Sequence, residues 1–191
     1  LLFLIGQLVQ SYPDIHIHIA DFKKSEDFKF MQSAGRCRYY AGNECYQGIM
    51  DFYNSFIQER QDFTSERHIL ICDEYPALIN FLTMQDKLNK TSYAKEVMAA
   101  VSEILMLGRV IKYHFWCVTQ RADASLFAGG SRDNFQCVIA LGRISKEQKG
   151  MLFSGEEFPD LIYGQGEGLL LADGHELVSV KIASGSFFKS R

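Results

Sequence analysis

Two adjacent carboxylates carry the clearest chemical signal. Asp73 and Glu74 close the run His68-Ile69-Leu70-Ile71-Cys72. A short, mostly apolar run of this kind suits a strand buried on both faces, as in a parallel sheet. Successive residues at a strand end point apart, so the two acids are free for separate tasks. An Asp at such a tip holds Mg2+, usually through water, and the ion neutralises phosphate charge. A Glu beside it polarises the water that attacks a γ-phosphate. The plainer reading of the pair is a strand followed by a solvated acidic turn. Gln120 ends the next apolar run, Tyr113 to Thr119. An amide there can hydrogen-bond both the attacking water and a phosphate oxygen, and so sense the γ-phosphate; its plainer role is a strand-end cap. The two strand ends, with a helix of crossover length between them, are more specific than either alone.

The elements that must position these groups are legible from periodicity. Leu1 to Ser11 reads as a mostly apolar helix stopped by Ser11-Tyr12-Pro13-Asp14. Ile15-His16-Ile17-His18-Ile19 alternates with period two and ends at Ala20-Asp21, a further acidic tip. Lys23 to Met31 suggests a loop with a short helix, and Cys37 to Tyr40 a short strand. Glu44 to Arg60 is expected to be helical, with Asn43 as its N-cap and Tyr46, Ile49, Met50, Tyr53, Phe56 and Ile57 on its apolar face. A polar stretch from Gln85 to Thr91 is expected to break the chain before a helix over Ser92 to Leu107. Gln136 to Leu141 reads as another buried strand, and Lys146 to Phe153 as a short helix. Asp173-Gly174 marks a hairpin between Gly168–Ala172 and Glu176–Ile182. Its second arm is expected to bury Val178, Val180 and Ile182 and to expose Leu177, Ser179 and Lys181. Helices alternating with buried strands predict an α/β fold, with a mainly parallel sheet flanked by helices. Ligands in such folds sit at the carboxyl ends of the strands.

Composition narrows the function classes. The 191 residues fit about one domain, and no repeat, low-complexity segment or linker divides them. The net charge of −3 gives no global basic surface, so a nucleic-acid partner would need a local patch or an assembled ring. Lys23, Lys24, Lys29, Arg36 and Arg38 form a candidate basic area, with a solvated face as the preferred reading. None of Cys37, Cys45, Cys72, Cys117 and Cys137 lies in a C-x-x-C pair, which removes support for cysteine zinc or thioredoxin-like chemistry. The last three sit in apolar runs and read as buried free thiols of a reducing cytosol. His16 and His18 alternate on one strand and could pair as metal ligands, but no third ligand has suitable spacing, so packing is preferred. Trp116 reads as core. The apolar start LLFLIGQLV lacks the features of a signal peptide and is too short to span a bilayer.

The ordered series ILICDEYPALI, GRVIKYHFWCVTQRAD, NFQCVIALGRIS and GQGEGLLLADG resembles the FtsK/SpoIIIE–HerA branch of RecA-like motor ATPases. IADFKKSEDF is similar to that family's second strand. The resemblance spans nearly the whole chain, which would then be one partial RecA-like motor domain over residues 1–191. It implies an ATP-driven DNA translocase of cell division, sporulation or conjugative transfer, with ATP and Mg2+ as cofactors. DNA would pass through a homo-oligomeric ring, a hexamer, and the domain would be cytoplasmic in a membrane-anchored parent protein. Asp73 would hold Mg2+ and contact the nucleotide, Glu74 would be the general base, Gln120 the sensor, and Arg143 the arginine acting across a subunit interface. Arg109 and Arg121 are weaker candidates for that role, and a surface salt bridge is the plainer fate of each arginine. The alternatives are a protein-secretion ATPase of the same branch and a non-catalytic interaction module with a decayed nucleotide site.

The family's Gly-x-x-x-x-Gly-Lys-Ser/Thr loop is absent, and LLFLIGQLVQ resembles the helix that follows it. The expectation is therefore a truncation just after that loop, with the first strand also missing, and weak nucleotide binding by this chain alone. The strands ending near Thr119 and Leu141, which flank the missing strand in the family's order, would pair directly or take a strand from another chain.

Overall fold

The computed structural model describes residues 1–26, 28, 31, 36–62, 66–127, 131, 133–159 and 161–182. The chain divides into two compact units. One comprises Tyr12–Gln120 and Ser125–Asn134; the other comprises Leu1–Ser11, Arg121–Ala124 and Phe135–Arg191.

The larger unit is built on a four-stranded parallel sheet. Its strands are β1 (His16–Asp21), β2 (Cys37–Ala41), β3 (His68–Asp73) and β4 (Tyr113–Val118), in the order β2-β1-β3-β4. β1 and β3 are central and almost wholly buried, which explains their apolar composition. Helix α2 (Cys45–Asp62) connects β2 to β3; α3 (Tyr75–Asn89) and α4 (Tyr93–Leu107) connect β3 to β4. Cys45, Gly48, Ile49, Phe52 and Phe56 form the buried stripe of α2, spaced by three and four residues. Polar contacts fix α2 against α4: the Tyr46 hydroxyl donates to Glu96 at 2.6 Å and the Tyr53 hydroxyl to Glu103 at 2.5 Å. Both pairs have the same sequence offset, so the two helices run parallel, as crossover helices on one face of a parallel sheet must.

Several expected boundaries move. Asn43 does not cap α2; it sits inside a 3-10 turn, Gly42–Glu44, that leads into the helix. Gln85 to Asn89 does not break the chain but forms the last turn of α3. The break is confined to Lys90–Ser92, where Lys90 adopts the left-handed conformation that ends helices. Asp86 satisfies the next helix start, its carboxylate accepting from the backbone of Tyr93 and Ala94 at 2.9 Å. Within the stretch Lys23 to Met31, where a short helix is expected, residues 27, 29 and 30 lie outside the described residues. Two of the basic residues nearby are paired: Lys23 with Glu74, and Arg36 with Asp14. Lys29 lies outside the described residues. Trp116 is half-buried, as befits an edge strand.

The smaller unit holds helix α1 (Leu2–Ser11) with Ile5 and Gly6 buried, and a three-stranded antiparallel sheet. Its strands are β5 (Cys137–Leu141), β6 (Glu167–Ala172) and β7 (Val178–Lys181), in sequence order. Helix α5 (Lys146–Leu152) lies between β5 and β6 in the chain, with Ser145 accepting a hydrogen bond from the Gln148 amide at its N-cap. Ala140, Phe153 and Leu169 form a small core, packed by Val138, Leu171 and Leu177. Successive side chains along β5 alternate between this core and the opposite, more exposed face. Cys137, Ile139 and Leu141 therefore point to the open face and are exposed, although the apolar run suggests burial. The same reason corrects β7: Val178 is exposed and Leu177 packs on the core. Gly168 is required here, because a Cβ would lie 2.0 Å from the Ala140 carbonyl oxygen of the paired strand. The expected direct pairing of the strands ending near Thr119 and Leu141 is not formed: β4 and β5 belong to separate sheets.

His114 on β4 provides a stability test. Burial pushes its imidazole pKa down from 6.5, and the positive Arg67 adds to the effect. The folded state therefore keeps His114 neutral, while the unfolded chain takes up a proton below about 6.5. The sign follows directly: its contribution to stability is full above that value and is lost as pH falls through the lowered folded value. In urea unfolding, the His114→Gln variant is expected to lose less stability than the parent between about pH 7 and pH 5. Equal losses would exclude His114 as an acid-sensitive group.

Candidate active site at the strand ends

β1, β3 and β4 end side by side. Asp21, Asp73 and Val118 are register partners across these strands, so the carboxylates of Asp21 and Asp73 are brought to adjacent strand tips. Asp21 is fully buried. Its Oδ2 accepts from the Ser25 amide at 2.6 Å and from the Tyr39 hydroxyl at 2.8 Å. Its Oδ1 is buried without a hydrogen-bond partner. A buried acceptor of this kind costs about 1–3 kcal/mol, more when charged, unless a cation, water or ligand completes it. The half-buried Asp73 carboxyl has its pKa raised, first by burial and then by the negative charges of Asp21 and Glu74, with Lys23 opposing the rise.

Glu74 holds the turn from β3 into α3. It adopts a left-handed backbone, φ 57° and ψ 48°. This conformation costs a non-glycine residue on the order of 1–3 kcal/mol. The surroundings impose it: the Glu74 amide donates to the Val118 carbonyl at 2.9 Å, and the Glu74 carbonyl accepts from the Ala77 and Leu78 amides at 2.9 and 3.2 Å. Pro76 near the helix start sets the first turn of α3. The strained turn separates the two acids. Glu74 keeps a side chain only 13% exposed, with Oε1 2.9 Å from the Lys23 ammonium. Gln120 lies exposed just beyond the end of β4. Arg143 follows β5 after Gly142 and is exposed, in the smaller unit.

The residue types fit a Mg2+–nucleotide group. Hard oxygen donors suit Mg2+, and the buried Oδ1 of Asp21 supplies an acceptor that the fold itself leaves unused. The sequence marks Asp21 only as an acidic tip; its signal is the strand ending in Ala20-Asp21, but its pairing with Asp73 emerges only from the register. Lys23 is likewise missed as a partner of Glu74.

Clustering negative charge at buried strand ends opposes stability. Asp73→Asn removes one of those charges while keeping its shape, so the variant is expected to unfold at a higher urea concentration than the parent, measured without nucleotide or Mg2+. A lower midpoint would mean that Asp73 holds the fold together instead.

No family profile matches the chain. The chain is 35% identical over 85 residues to the FtsK domain-containing protein YdcQ of Bacillus subtilis strain 168, a match covering 44% of this chain and 16% of that protein. In structure it is similar to the pCW3 conjugation coupling protein TcpA, solved as a monomer with ATPγS. The TM-score is 0.71 at 16% identity, over 93% of this chain and 54% of that one. The chain is thus similar in sequence to an FtsK domain over part of its length, and in fold to TcpA over nearly all of it. The cytoplasmic domain of the Type VII secretion ATPase EccC from Thermomonospora curvata gives a TM-score of 0.68 at 17% identity, over 94% of this chain and 24% of that one. ATPases 2 and 3 of EssC from Geobacillus thermodenitrificans give 0.64 at 12% identity, over 93% and 35%. The chain thus has the RecA-like α/β fold of these structures, and it spans a small part of the curated relative it matches. Among the described residues, no helix is long and apolar enough to cross a membrane.

Proposed function

We propose that this chain forms the hydrolytic core of an ATP-driven DNA translocase of FtsK type. The observation that carries the reading is the convergence of Asp21, Asp73 and Glu74 at the carboxyl ends of parallel strands, with one buried carboxylate oxygen left without a partner. Asp73, supported by Asp21, would hold Mg2+, and Gln120 would contact the nucleotide. When bound, Mg2+ neutralises charge on the phosphates. Glu74 takes the proton from the attacking water, and its strained turn keeps it apart from Asp73. Lys23 restrains Glu74 through an ion pair to one of its two carboxylate oxygens, Oε1. Gln120 orients that water, and Arg143 of a neighbouring copy stabilises the charge that develops on the transferred group.

The reading extends to a homo-oligomeric ring, a hexamer, through which DNA passes, as the cytoplasmic part of a membrane-anchored protein. The 35% identity to an FtsK domain-containing protein and the likeness to a conjugation coupling protein support DNA as the cargo. The likeness to EccC, a secretion ATPase, supports protein export as the second reading. A triplex-displacement assay on duplex DNA with the full-length protein separates them. ATP-dependent displacement of the third strand is expected; ATP turnover without displacement would favour protein export.

A further inference from the structure

At the amino ends of β1 and β3, three side chains of metal-ligand type meet. His16 and His68 open their strands and are register partners. Glu66 lies just before β3. Strand rise puts this cluster about 16 Å from the Asp73 end of the sheet. The Nε2 of His16 is 2.6 Å from Oε2 of Glu66. One ligand atom from each of His16, Glu66 and His68 lies within 4.8 Å of the other two. His68 is 7% exposed, and its Nε2 makes no hydrogen bond, although Oε2 of Glu59 on α2 stands 3.2 Å away. Ring packing explains why His68 is buried. It does not explain why His16 and Glu66 also gather at this ring, whose Nε2 has an ion-pair contact with Glu59 at 3.2 Å but no hydrogen bond.

We propose that His16, Glu66 and His68 form a binding site for a divalent transition metal of the Zn2+ type. Imidazole nitrogens with a carboxylate suit Zn2+ and its neighbours, whereas an all-oxygen set would suit Mg2+ or Ca2+. The exposed and buried parts of the site are distinguishable. The His68 ring is clamped between His16, stacked at 4.7 Å, and Tyr113, stacked at 4.4 Å. The lone pairs of parallel rings do not converge, so one ring must tilt for both to reach one ion. His16 and Glu66 have side chains 32% and 61% exposed, and they close on the fixed His68. A metal here staples β1 to β3 at the end of the sheet remote from the proposed nucleotide site. It therefore acts on stability rather than on hydrolysis, and the inference is independent of the proposed function.

The test is calorimetric titration of Zn2+ into the full chain, without an affinity tag and stripped of metal, together with visible spectra of the Co2+ form. The expected results are one equivalent bound, d–d bands of a low-coordinate Co2+ site, and a raised unfolding midpoint with Zn2+. His16→Ala and Glu66→Gln, both at solvent-accessible positions, are expected to weaken binding by about 100-fold. His175→Ala, at an exposed position on the hairpin, leaves it unchanged. Should His16→Ala lose its folded circular-dichroism spectrum, Glu66→Gln decides alone. No binding near one equivalent, or undiminished binding by folded His16→Ala and Glu66→Gln, overturns the proposal.

Discussion

Replacing Glu74 by Gln is expected to lower ATP turnover of the full-length protein by about 100- to 10,000-fold, the usual worth of a positioned general base. Nucleotide affinity should change little. The amide retains the size of the side chain and the strained turn at the head of α3, because that turn is fixed by backbone hydrogen bonds to Val118, Ala77 and Leu78. What is lost is the capacity to accept a proton, together with the ion pair to Lys23. Pre-steady-state phosphate release and equilibrium binding of a non-hydrolysable nucleotide, measured on the same preparation, separate the two effects. Turnover within a few-fold of the parent would remove Glu74 from the base role, and a parallel loss of binding would assign it to nucleotide positioning.

Arg143→Ala is the second large effect. An arginine that reaches the transferred phosphoryl group from a neighbouring subunit is worth about 1,000- to 100,000-fold in turnover. Arg143 stands exposed beyond the end of β5, where it is available to a second copy. The informative experiment mixes the variants. Arg143→Ala subunits still carry Glu74, and Glu74→Gln subunits still carry Arg143. If each site uses Glu74 of one copy and Arg143 of the next, mixed assemblies regain part of the activity that both variants lack alone. Mixtures that stay as inactive as the separate variants would place Arg143 outside a shared site.

The carboxylates were legible because a buried central strand must be apolar and its tip need not be. Asp73-Glu74 stands out after Ile69–Cys72 for that reason alone. The parallel α/β architecture was legible on the same principle, since β1 and β3 are covered on both faces. The open face of β5 was not: an apolar run reports composition, and only the antiparallel pairing with β6 decides that Ile139 and Leu141 face away from the core. The role of Asp21 depends on its register with Asp73 and on a buried oxygen without a partner, neither of which is encoded in local spacing. The histidines show the same limit. Period-two alternation suggests His16 with His18, yet His18 turns edge-on to Phe52 with ring centroids 5.1 Å apart. The true neighbour of His16 is His68, brought beside it by strand pairing across α2. The left-handed turn at Glu74 also leaves no mark in composition, because a glutamate there is held by its neighbours' hydrogen bonds rather than by its own preference.

The measurement that bears most directly on the account is the ATP turnover of the full-length protein, with Mg2+ present, in the absence and presence of linear duplex DNA. The account predicts Mg2+-dependent hydrolysis that rises several-fold with DNA and is abolished by Glu74→Gln. Absence of hydrolysis under both conditions, or hydrolysis that Glu74→Gln leaves intact, would contradict it.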